Sequence, residues 1–165
     1  MSLEDVVITV SKRGELKEKF LINLPNVRSL KGYLKGFWDF DIYNDAFPRK
    51  SKLSDVDGSI ELEGHTLHVE FKESKYSMNR GQVLKAVRQA KYSNITTIFV
   101  IGKTDQPAQY ISFTPDDGPE GVFISGYLEC SQEILFMVLK NWAEWAKDHT
   151  LVTSKTEEWN LARGI

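Results

Sequence analysis

The stretch Asp55-Val56-Asp57-Gly58-Ser59-Ile60-Glu61-Leu62-Glu63-Gly64-His65-Thr66-Leu67-His68-Val69-Glu70-Phe71-Lys72 decides how this chain is read. Residues 59–62 and 66–72 alternate polar and apolar on either side of Glu63-Gly64, the pattern of two strands joined by a tight turn. A period of two puts Thr66, His68, Glu70 and Lys72 on one face and Leu67, Val69 and Phe71 on the other. On the preceding strand Asp57, Ser59 and Glu61 face away from Ile60 and Leu62. Burying the two apolar faces together fixes the parity of the pairing, because a one-residue slip would mix them. Two registers remain. A four-residue turn pairs Leu62 with Leu67 and sets Asp57 opposite Lys72, diagonal to Glu70. A two-residue turn pairs Leu62 with His65 and sets Asp57 opposite Glu70. In either, Asp57, Glu70 and Lys72 gather on one patch.

Those three side chains are the parts of a metal-assisted hydrolytic site. Two carboxylates roughly 5 to 8 Å apart on adjacent strands can share a hard divalent cation such as Mg²⁺ or Mn²⁺. A cation there lowers the pKa of bound water and neutralises phosphate charge. A lysine beside it orients or deprotonates the water and steadies developing negative charge. The plainer reading is a carboxylate–lysine ladder on the solvent face of a hairpin. Asp55 rivals Asp57, since it lies on the same strand face two residues away.

Working outward, residues 6–10 and 18–24 read as a hairpin around Lys12-Arg13-Gly14. Over 27–44, Leu30, Leu34 and Phe37 fall at helical spacing, and Pro48 with the polar run 49–54 ends that element. After the central hairpin the spacing predicts a helix over 79–93, with Val83, Leu84, Val87 and Ala90 on one face. Residues 95–102 are a continuous apolar run of strand length, expected at the centre of a sheet. Residues 109–113 and 121–127 read as short strands around Pro115-Asp116-Asp117-Gly118-Pro119. Ser131 caps a last helix to about Asp148, with Glu133 in its first turn. This order implies an α/β protein with a mixed central β-sheet flanked by helices.

The chain has 165 residues, the size of one compact domain, and is 41% hydrophobic and 27% charged, which excludes disordered and collagen-like classes. The expectation is a single domain over 1–165. No apolar run reaches the roughly 18 residues of a membrane helix. The start Met1-Ser2-Leu3-Glu4-Asp5 does not read as a secretory signal, and Cys130 is the only cysteine. A cytoplasmic location, with no membrane partner, is expected. The net charge of −2 hides an asymmetry. Residues 74–103 hold Lys75, Arg80, Lys85, Arg88, Lys91 and Lys103 and no acid, whereas 104–139 hold six acids and no Lys or Arg. Such a split lets a near-neutral protein present a positive surface to a polyanion.

The ordered set resembles the PD-(D/E)XK nuclease superfamily, whose core is an acid, a hairpin and then Glu-x-Lys. Gly36-Phe37-Trp38-Asp39-Phe40, Asp45-Ala46-Phe47-Pro48 and Ser54-Asp55-Val56-Asp57-Gly58 look like its small phage and prophage branch. The resemblance covers about 30–103. It implies a restriction-endonuclease-like core and a Mg²⁺- or Mn²⁺-dependent deoxyribonuclease. By this resemblance Asp57 and Glu70 match the metal-binding acids, the carbonyl of Phe71 the third ligand and Lys72 the catalytic lysine. Gln82, in Arg80-Gly81-Gln82, matches a helix glutamine found after the Glu-x-Lys strand. The family's leading proline is absent, its place taken by Val56. Many members add an acid from the first helix. Asp41 continues the Leu30–Leu34–Phe37 stripe and is the first choice, with Asp39 and Asp45 as alternatives.

DNA then gives the basic run a use. Lys85, Arg88 and Lys91 recur every three residues beside Gln82 and can follow a phosphate backbone, with Lys75 and Arg80 in the connection before them. Tyr76 and Tyr92 can stack on bases, though packing is the expectation for both. His65 and His68 are expected in turn and surface roles. Cys130 is expected to be buried packing. Trp142 and Trp145, with Leu135, Val138 and Leu139, form an apolar helix face that would also serve a homodimer. Two alternatives stand beside the nuclease: a non-catalytic nucleic-acid-binding or recombination accessory domain of the same fold, and an interaction protein working through the Trp-rich helix.

Overall fold

A computed structural model describes residues 5–12, 15–23, 46–47 and 56–163. The chain divides into two compact units, 1–54 and 55–165. In the first, β1 (Asp5–Lys12) and β2 (Glu15–Asn23) form an antiparallel hairpin with a bulge between Val10 and Ser11. The helix predicted over 27–44, with Asp39, Asp41 and Asp45, lies outside the described residues, as does Asp55.

The second unit is α/β, with a mixed sheet flanked by helices. Its strands are β3 (Gly58–Leu62), β4 (His65–Lys72), β5 (Ile95–Lys103), β6 (Gln106–Pro115), β7 (Val122–Ile124) and β8 (Leu128–Glu129). The order is β3-β4-β5-β6-β7, with β8 also on β6. Among the described strands only β4 and β5 pair in parallel. They are joined through a 3₁₀ turn (Lys75–Ser77) and α1 (Arg80–Ser93), since a parallel pair needs a long crossover. The other pairs are antiparallel. Helix α2 (Gln132–Asp148) follows β8, and α3 (Lys155–Arg163), which the sequence reading missed, closes the described chain. Among the described residues no helix is long and apolar enough to cross a membrane.

Local chemistry explains most boundaries. Asn79 caps α1 through its side chain, and Asn94 stops it in the left-handed region one residue before β5. Ser131 accepts the Ile134 N–H at the start of α2. The β3–β4 turn puts both Glu63 (φ 54°) and Gly64 (φ 89°) in the left-handed region, the signature of a two-residue type I′ hairpin. At Gly102, beside a bulge in the β5–β6 pairing, any Cβ would strike the Gln106 carbonyl oxygen.

Strand β5 is central, and residues 96–101 are buried. Ile98 and Val100 point to one side with Leu67, where Trp142 and Ala146 of α2 cover them. Phe99 points to the other, with Ile111 and Phe113 under Ala86 of α1. Alternation along one buried strand thus feeds two cores. Three apolar assignments need correction. Leu84, Ile60 and Phe71 are exposed: Leu84 sits outside the stripe that meets the sheet, Ile60 is on the edge strand β3, and Phe71 is near the end of β4.

Candidate active site

The turn chooses between the two registers. Leu62 pairs with His65 and Gly58 with Val69, so one further step sets Asp57 across from Glu70. Asp57 lies just before β3, where the ladder ends, and its Oδ2 accepts the Phe71 backbone N–H at 2.7 Å. The carboxylate thereby reaches the peptide between Glu70 and Lys72. Glu70 pairs in register with Phe99, which puts Glu70 and Lys72 on the α1 side of the sheet. Lys72 Nζ donates to Glu70 Oε2 at 3.0 Å, and these side chains are only 14% and 13% exposed. This is a partly desolvated pair, unlike the solvent-facing ladder of the plainer reading. Charges so placed interact more strongly than surface pairs.

His68 belongs to the same patch. It precedes Glu70 by two residues on one face, bonds Gln89 of α1, and feels both Lys85 and Glu70. Burial, aided by the Lys85 charge, pushes its imidazole below the usual histidine range, so it stands neutral at pH 7. Sequence reading discounted it, although the Thr66-His68-Glu70-Lys72 alternation already placed it there.

Gln82 occupies the third position of α1. Its N–H donates to Asn79 Oδ1 at 2.9 Å, and its Oε1 accepts the Asn79 N–H at 3.4 Å. The side chain therefore closes a capping box, legible as Asn79-x-x-Gln82. Arg80 opens the same helix and Lys75 sits in the preceding turn, with no acid in the first turn of α1. The N-terminal end of that helix is accordingly electropositive. Lys85 and Arg88 continue the positive charge along a groove of about 350 Å³ that they line with Gly81, Leu84, Gln89 and Tyr92.

Three further expectations are corrected or refined. His65 is buried, 4% exposed, instead of lying at a surface turn. Its Nε2–H donates to the His149 carbonyl at 2.7 Å, which leaves Nδ1 to accept from Asn94 at 3.3 Å, and its ring lies 4.6 Å from Trp145. Tyr76 and Tyr92, expected to pack, are 86% and 74% exposed. Trp142 is buried as expected, whereas Trp145 stacks on His149. Cys130 is buried, and burial pushes its thiol up, away from nucleophilic use.

Asp57 and Glu70 offer hard carboxylate oxygens, the donor chemistry that Mg²⁺ or Mn²⁺ prefers. Among the described residues no group of three or more His, Cys, Asp or Glu side chains is arranged to hold a metal ion. Comparison with protein-family models, curated proteins and solved structures finds no match to this chain.

Proposed function

We propose that this chain is a divalent-metal-dependent nuclease of phage or prophage type that hydrolyses phosphodiester bonds in DNA in the cytoplasm of the host cell. The observation that carries the reading is the partly buried Glu70–Lys72 pair at 3.0 Å, with the Asp57 carboxylate on the peptide between them. The sequence resemblance to PD-(D/E)XK nucleases supports it. Asp57 and Glu70 would hold the metal, joined by the Phe71 carbonyl. When bound, the ion supplies Lewis-acid charge at the scissile phosphate. Lys72, held by Glu70, orients the attacking water and meets the negative charge that grows on the phosphate. Lys75, Arg80, Lys85 and Arg88 grip the backbone.

The test is cleavage of labelled linear, single-stranded, flap and four-way-junction DNA with Mg²⁺, Mn²⁺ or EDTA, wild type beside Lys72→Ala. Metal-dependent cutting lost in the variant is expected, with DNA affinity retained. Cutting that survives the substitution overturns the assignment of Lys72, and an absence of cutting on every substrate overturns the nuclease. A non-catalytic nucleic-acid-binding accessory domain would bind DNA equally well in EDTA and cut nothing.

A further inference from the structure

Tyr76 and Tyr92 are the two most exposed large rings of the α1 region, one in the turn before the helix and one in its last turn. Each has a lysine above its face: Lys75 Nζ lies 5.3 Å from the Tyr76 centroid and Lys91 Nζ 5.7 Å from that of Tyr92. Tyr92 also lines the α1 groove. Its lining combines an exposed leucine, Leu84, and the Tyr92 ring with the cations Lys85 and Arg88. The groove adjoins the candidate site, because His68 feels Lys85 and Glu70 together.

We infer that the nucleic acid held along α1 is single-stranded DNA, either a free strand or the unpaired tail of a branched molecule, with Tyr92 and Tyr76 as stacking platforms for its bases. The inference rests on the nuclease reading above for what happens to that strand. A duplex hides its base faces and offers a helix only phosphates and groove edges, which would leave the rings and Leu84 without partners. An unpaired strand presents phosphates to cations and π-faces to rings at once, the combination that single-strand grooves use.

The experiment is fluorescence anisotropy of the full chain, in EDTA, with labelled oligothymidylate and a blunt duplex of equal length. The single strand is expected to bind at least about ten-fold tighter. Tyr92→Ala is expected to weaken it by about 5- to 150-fold, the range for losing one stacked base, with Tyr76→Ala acting in the same direction. Tyr92→Phe should restore binding, because the ring and not the hydroxyl does the work. Both rings are exposed, so thermal melts of the variants should match wild type. Equal affinity for duplex, or single-strand binding indifferent to both alanine variants, overturns the inference. Preference for oligouridylate over oligothymidylate overturns the choice of DNA. The two readings fail separately. Metal-dependent cutting that ignores the rings and takes duplex equally well sinks the strand site and keeps the nuclease. Ring-dependent binding without cutting of any substrate keeps the strand site and sinks the nuclease.

Discussion

The Lys72 ammonium stands 3.0 Å from Glu70 Oε2, two residues back on the same face of β4, with both side chains largely withdrawn from water. Removing one partner of such a pair leaves the other charge poorly solvated. Lys72→Met or Glu70→Gln should each lower stability by about 1–3 kcal/mol. The double variant should lose less than the sum, because neither partner is then stranded. Urea denaturation of the four proteins measures the coupling. Additive losses would show that the contact contributes nothing.

His68 supplies a pH dependence whose direction follows from its environment. Its folded-state pKa is depressed, first by burial and then by Lys85. Below the unfolded value of about 6.5 the unfolded chain takes up a proton that the folded one resists, so stability falls with pH until the lower folded value is passed. His68→Gln should flatten thermal stability between pH 7 and pH 5. An unchanged slope would place the acid sensitivity elsewhere.

At the hairpin turn, Glu63 Oε1 accepts from Lys155 Nζ at 2.7 Å and Oε2 from Thr150 Oγ1 at 2.9 Å. The Lys155 bond, then the Thr150 bond, holds the Glu63 carboxyl below its usual range. A depressed carboxylate contributes stability above its unfolded pKa and loses it as pH falls through the folded value. Glu63→Gln should therefore reduce stability at pH 7 and leave it unchanged in strong acid. Added salt should shrink the difference, because the Lys155 end of the pair is exposed to solvent.

His65 ties the start of β4 to the end of α2 through the His149 carbonyl and to Asn94 at the end of α1. His65→Ala opens a cavity against Trp145 and strands two polar partners, at a cost of about 2–4 kcal/mol. His65→Phe keeps the ring and should lose about half of that. Chemical denaturation checks both, and a wild-type midpoint for the alanine variant would refute the tie.

What the sequence determined by itself is what neighbouring residues decide. The alternation over 59–72 assigned faces, so the placement of Glu70 and Lys72 together followed from period two alone. Ser131 marked a helix start because a cap bonds an amide two or three residues on. Gln82 carried a legible signal, the capping box, that competed with its reading as a site glutamine. Tertiary structure decided the rest. The choice of register needed Glu63 in the left-handed region, and that residue is held by Thr150, Leu151 and Lys155 from the far end of the chain. Burial of His65 required α2 to return over β4. The Asp57 contact with the Phe71 amide followed only once the register was set. Periodicity is a property of adjacent residues, whereas partners so distant in sequence meet only when a whole sheet and its covering helices assemble.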